Sequence, residues 1–170
     1  MTDFDLIAKG MSQVVPFVGY LGLRIESLEA GEATVVLPDK PELKNHVGSQ
    51  HAGALFTAAE TASGAAFVGA FAERMGEVRP LARSAEISYE KIASGEVTAR
   101  ARLGVPAAAA LATLDNEGVV QFPCEIELSD ADGATVATAT VRWHVRKTEP
   151  APATDGAAPA TDAAADPADA

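Results

Sequence analysis

The chain has 170 residues, 24 acidic and 13 basic, for a net charge of −11. That balance lacks the basic footprint of a nucleic-acid binder and is repelled by an anionic membrane surface. The lone cysteine, Cys124, excludes an internal disulfide framework and a cysteine-cluster zinc site.

The average hides two compositions. Residues 149–170 hold ten Ala, four Pro, four Asp and one Glu, with no Val, Ile, Leu, Phe, Lys or Arg. Such a stretch has nothing to bury against its ordering entropy, so a disordered acidic tail is expected. It carries −5, which leaves −6 on residues 1–148, enough chain for one globular domain. The start, MTDFDLIAKG, has acids where a signal peptide needs a basic region, and a cytoplasmic location is expected.

In chain order, Asp5 to Val15 reads as a short amphipathic helix stopped by Pro16. Leu21, Leu23 and Ile25 alternate with polar or small residues, as do Ala33, Val35 and Leu37 after Glu29-Ala30-Gly31, which predicts a hairpin. A polar loop, Asp39 to Gln50, leads into an apolar helix over about 52–75. A helix without a polar face is a buried helix. Strands follow over Ser84–Glu90 and Glu96–Leu103, then a short helix from Pro106 closed by Gly118. Two more strands, Phe122–Leu128 and Ala137–Arg146, flank a turn at Asp130–Gly133. Strands with one polar face suit an antiparallel sheet covered on one side, so the fold class is α+β, a sheet wrapped around one central helix.

Gly53 to Ala72 is long enough to span a membrane but carries Glu60 near its middle, which favours a soluble core helix. Glu60 is the only charge between His51 and Ala72. A carboxylate on a buried helix is costly unless it is paired or functional. Either it works chemically, or it faces a polar crevice held by Ser63 or Thr57. Asn45, Gly48, His51 and Gly53 crowd the approach to the helix. Backbone N–H groups there, with the positive dipole end, stabilise a developing oxyanion; the alternative is a capping loop. Glu60 is seven residues beyond Gly53, roughly 10 Å along a helix, too far for both to serve one carbonyl. Two antiparallel helices would bring one chain's Gly53 near the other's Glu60, so a homodimer with two composite sites is expected.

The run from Asn45 to Glu60, NHVGSQHAGALFTAAE, resembles the signature of PaaI-type hotdog-fold acyl-CoA thioesterases. That pattern has Asn, a Gly-containing loop, His six residues later, then Asp or Glu nine residues after the His. The chain is especially similar to a hotdog branch with Asn-His-Val-Gly and His-Ala-Gly-Ala motifs, over about Phe17 to Lys147. The resemblance implies a dimeric hotdog domain over residues 1–148 that hydrolyses an acyl-CoA without a cofactor. It implies that Asn45 holds the thioester and that the Gly53 N–H polarises its carbonyl. Glu60 of the other chain is then general base or nucleophile. His46, His51 and Ser84 are candidates for contacts around the substrate, and His51 more simply caps or anchors the loop.

The motif departs from the family at Ala52, where the family has Gly, and at Gly64, where some members have a hydroxyl. Other members use a serine on the next strand; Ala82 stands there, with Ser84 two residues on, a shift that keeps the same strand face. Two histidines and one acid lack metal-site spacing, so no metal is expected. Arg100, Arg102, Arg142 and Arg146 either contact the phosphates of coenzyme A or form a solvated face. Trp143 shares a face with Val141 and Val145 and reads as core. Besides the thioesterase, two readings stay open: a non-catalytic hotdog dimer binding acyl-CoA or a lipid-like ligand, and an acyl-thioester dehydratase using His46. A dimer of dimers is equally compatible with the sequence.

Overall fold

The structure, a computed structural model, describes Leu6, Gly10, Met11 and residues 14–148. The acidic tail lies outside the described residues, as does most of the helix expected over 5–15. Pro16 opens a helix rather than only stopping one. Helix α1, Pro16–Leu21, has proline in its first turn, where no N–H is needed, and ends at Gly22 with φ 73°. This moves the start of the first strand from Leu21 to Arg24.

Strands β1, Arg24–Glu29, and β2, Glu32–Leu37, form the expected hairpin, turned at Gly31 with φ 96°. Helix α2 runs Ala52–Phe71 and tightens into a 3-10 segment over Ala72–Glu77. Next come β3, Val78–Tyr89; β4, Val97–Leu103; helix α3, Ala107–Glu117; β5, Val119–Ser129; and β6, Thr135–Lys147. The strands form one antiparallel sheet in the order β1-β2-β4-β5-β6-β3. The sheet wraps α2 in the hotdog arrangement.

Small residues set how closely sheet and helix approach. Ala58, Ala62, Ala65 and Ala66 are essentially without solvent exposure. At Gly69 the helix meets the hairpin so tightly that a Cβ would overlap the Glu29 carbonyl oxygen. The volume the alanines leave is filled by aromatics: Phe67 stacks on Phe71 at 4.8 Å and on Trp143 at 5.2 Å, and Phe71 on Phe122 at 5.9 Å. Such ring pairs add to the area they bury. Helix Ala52–Glu77 has the length and apolarity of a membrane span, but 72% of its most apolar window is buried within the fold. Cys124 is buried on β5, and burial, with Glu125 beside it, pushes its thiol up to about 12.

Two surfaces lack the cover that the rest of the core has. Strand β3 is an edge strand, twelve residues long, and from Leu81 to Tyr89 only Ile87 is even half-buried. Along α2 one stripe stays open: Gly53 is exposed, and Thr57, Glu60, Gly64 and Val68 are only half-buried. These positions recur every three or four residues, on one helix face. The sequence reads this helix as enclosed all round; the structure leaves that stripe open.

Candidate functional site

The loop before α2 is built around Asn45. Its Oδ1 accepts the backbone N–H groups of Val47, at 3.0 Å, and Ser49, at 3.1 Å; its Nδ2 donates to the Gln50 carbonyl at 3.3 Å. Both acceptor positions are filled, and one amide N–H is left for a ligand. Gln50 anchors the loop from below: buried, it donates to the carbonyls of Pro38, at 3.1 Å, and Gly95, at 3.0 Å.

His51 caps the helix. Its Nδ1 accepts the Gly53 N–H at 2.9 Å, which requires a neutral ring with its proton on Nε2. This corrects the expectation that the Gly53 N–H is free for a carbonyl. A Cβ at position 53 would sit 3.2 Å from His51 Nδ1, so the glycine makes room for the folded-back imidazole. The unclaimed donor is one residue earlier. The Ala52 N–H has no acceptor among the described residues, and it lies at the exposed, positive end of α2. Tyr89, at the end of β3, donates its hydroxyl to the Ala52 carbonyl at 3.1 Å and fixes that first residue. An open cleft of about 420 Å³ adjoins it, between Asn45 and Ser49 on one side and Tyr89 and Ile92 on the other. Ile92 is 76% exposed there.

Glu60 lies on the same open stripe as Gly53, two turns on. Its carboxylate makes no hydrogen bond or ion pair among the described residues. The neighbouring hydroxyls serve the backbone instead: Ser63 donates to the Glu60 carbonyl and Thr57 to the Gly53 carbonyl, each at 2.8 Å. The polar crevice offered as the alternative for Glu60 is therefore not formed by these groups. Burial pushes the Glu60 carboxyl above the usual carboxylate range, with no opposing partner to lower it.

Ser84 does not share this region. A β-bulge falls between Ala82 and Ser84: Ala82 pairs with Trp143, but Ser84 pairs with Arg142. Trp143 faces the core and Arg142 faces solvent, so the extra residue, Arg83, turns Ser84 to the outer face. The two-residue spacing expected to keep one face fails because the alternation breaks there. His46 is exposed and makes no hydrogen bond among the described residues, so nothing orients its ring.

The arginines divide. Arg102 pairs with Glu32 at 3.3 Å, and Arg100 donates to Ser129 at 3.0 Å, around a hollow of about 630 Å³ that also holds Glu125 and Glu127. Arg142 and Arg146 make no ion pair among the described residues, and Arg146 stands directly opposite Arg79. No group of three or more His, Cys, Asp or Glu comes together among the described residues.

Residues 5–145 match the family model described as Domain of unknown function (DUF4442). The chain is a member of the DUF4442 family. Among curated proteins no match is found. Solved structures place this DUF4442 chain among hotdog proteins. PA5026 of Pseudomonas aeruginosa, described as a protein of unknown function and probable thioesterase, is 27% identical with a TM-score of 0.77. The match covers 86% of this chain and 97% of that one. A thioesterase family protein of Silicibacter pomeroyi is 21% identical with a TM-score of 0.68, over 85% of this chain and 99% of that one. The PaaI protein of the Escherichia coli phenylacetic acid degradation operon is 23% identical with a TM-score of 0.63, over 83% and 91%. The last two bear on the fold alone, and they bear out the hotdog fold that the resemblance implied.

Sequence reasoning on this DUF4442 chain missed Tyr89 and Ala52. Tyr89 was legible only as an alternating strand residue, and Ala52 only as a departure from the family motif, because its methyl group carries no polar atom. The signal for Ala52 lay in His51, since a histidine two residues before a glycine is positioned to cap the glycine's amide.

Proposed function

We propose that this protein hydrolyses acyl-CoA thioesters at two sites, each shared between the protomers of a homodimer. The observation that carries the proposal is Glu60, a half-buried carboxylate without a partner among the described residues, on an open helix stripe, where the other requirement is a free backbone donor. The likeness to PA5026 supports the reaction class. The length of the unpaired β3 edge and the open stripe of α2 support the dimer, because a long bare edge is a template for a second chain.

In this reading the thioester carbonyl receives the Ala52 N–H and the positive end of α2. The spare Asn45 N–H holds the same group in place. The partner's Glu60 takes a proton from water as the oxygen–carbon bond forms, and the proton passes to the thiolate when the carbon–sulfur bond breaks. The raised carboxyl pKa brings Glu60 closer to the operating pH of a general base.

Ala52→Pro tests the donor. Proline is tolerated at the first helical position, and His51, at φ −66° and ψ 137°, already has the extended conformation that precedes proline. The fold is retained, and thiol release from a panel of acyl-CoAs falls by about 10²–10³-fold. Mixing Ala52→Pro with Glu60→Gln protein, unfolding and refolding together, tests the sharing. Mixed dimers then hold one intact site, and activity returns. Recovery no greater than the sum of the two inactive parents places both groups in one chain and rejects the composite site.

A binder without turnover is favoured by one observation: neither Gly64 nor Ala82 supplies a hydroxyl, and Ser84 is turned away. Wild-type protein that binds acyl-CoA but releases no thiol from any member of the panel establishes that reading. The dehydratase reading has no support, since His46 is unoriented.

A further inference from the structure

Strands β3 and β6 carry five of the chain's 13 basic residues and one of its 24 acidic ones. Lys147 is committed to Asp115, at 2.9 Å. The four arginines are not. Arg79, Arg83, Arg142 and Arg146 are exposed, and none makes a side-chain hydrogen bond or ion pair among the described residues. Arg142, His144 and Arg146 alternate onto the outer face of β6, away from Trp143. On β3, Arg79 stands opposite Arg146, Leu81 opposite His144, and Arg83 is the bulge residue next to Ser84, the partner of Arg142. Like charges placed opposite each other repel. The one acid on these strands, Glu86, lies two residues beyond Ser84, opposite Thr140. Arg100 and Arg102 differ, since they share their hollow with Glu29, Glu32, Glu125 and Glu127. An acidic protein thus keeps one basic face without counter-charge among the described residues.

We propose that the acidic segment 149–170 of the same chain docks on this face. The docking is independent of the hydrolase reading. The segment has five acidic side chains and no basic one, and its other residues are mostly Ala and Pro, which suit the exposed Leu81 among the arginines. It begins where the face begins. The Thr148 N–H donates to the Glu77 carbonyl at 2.9 Å, two residues before Arg79, so Glu149 leaves the sheet at the Arg79–Arg146 end. From Arg146 to Arg142 the strand covers about 13 Å. Residues 149–162, which hold Glu149, Asp155 and Asp162, reach about 20 Å even as a random coil. A free anion must approach against the field of a chain of net charge −11, whereas the segment is tethered at the rim of the face. Each exposed ion pair is weak and screened by salt, so the contact rests on several at once. The carboxylates exchange among the arginines, and the segment keeps much of its conformational entropy.

A nitroxide label on Ala163→Cys in the full chain tests the docking by proton–nitrogen NMR. Cys124 is buried with its thiol pushed up to about 12, so it stays unlabelled. At about 10 mM salt, where the screening length is about 30 Å, the label removes most of the amide signal intensity of Arg79, Leu81, Arg142 and His144 and leaves Arg100 and Arg102 sharp. At about 1 M salt, where that length is about 3 Å, the intensity returns. It also returns when Glu149→Gln, Asp155→Asn, Asp162→Asn, Asp166→Asn and Asp169→Asn are combined, and when Arg79→Gln, Arg142→Gln and Arg146→Gln are combined. Broadening spread evenly over the sheet, or unchanged by salt or by either set of substitutions, overturns the proposal. Broadening in unlabelled chains mixed with labelled ones identifies a second copy as the occupant and overturns it too. So does a face whose signals shift with added inorganic phosphate but never broaden from the label, which makes it a site for a free anion.

Discussion

Glu60→Gln lowers thioester hydrolysis by about 10²–10⁴-fold and, at neutral pH, makes the folded protein more stable. Both effects come from one cause. The carboxylate is held in a half-buried position with no partner among the described residues, so the folded state favours its protonated form. Between the ordinary carboxylate value and the raised folded value, the folded chain binds more protons than the unfolded one. Stability therefore falls as pH rises through that window and stays lower above it. Glutamine keeps the shape and removes the charge, so the variant gains nothing in acid and its advantage grows toward neutrality. Urea unfolding of both proteins at matched pH values measures this. Superimposable stabilities from acid to neutral pH would show that Glu60 is solvated in the working protein and would remove the argument for its activation.

Gly69→Ala costs about 3 kcal/mol, at the upper end of the usual overpacking penalty. The obstructing atom is the Glu29 backbone carbonyl oxygen, and Leu28 Cδ2 stands at 3.2 Å. Neither helix nor hairpin can yield locally, because the hairpin is tied into the sheet through β4. Gly64 is the internal control. On the same helix, an added Cβ there meets only Trp143 Cζ2 at 3.9 Å, an ordinary contact. Gly64→Ala is neutral or gains up to about 1 kcal/mol from the smaller entropy loss of alanine. Equal denaturation midpoints for the two variants would refute the close-approach account of Gly69.

Much of the fold was legible. The period-2 strands from β2 to β6 and the long apolar helix follow directly from side-chain alternation and from the run of small residues. Pro16 was misread because proline both ends and begins helices, and only the chain beyond it decides which. The start of β3 at Val78 was hidden by Arg79-Pro80, which interrupts the pattern but is tolerated on an edge strand. At the site, Glu60 was legible because a lone charge among alanines is conspicuous. The identity of the free amide was not. Whether Gly53 or Ala52 offers its N–H depends on where the His51 ring folds, and that is a matter of three dimensions. The outward turn of Ser84 was equally hidden, since a bulge leaves the composition of a strand unchanged.

The extra residue at Arg83 has a consequence for how the protein holds together. Without it, Ala82 would share its face with Ser84, Glu86 and Ser88; with it, the inward set continues as Ala85, Ile87 and Tyr89. One residue thus exchanges a wet face for a dry one along an edge that this chain leaves bare. In the proposed homodimer that face is covered by the second protomer, so folding and pairing become a single equilibrium. The temperature at which the protein melts then depends on how much of it is present, rising with concentration as mass action requires.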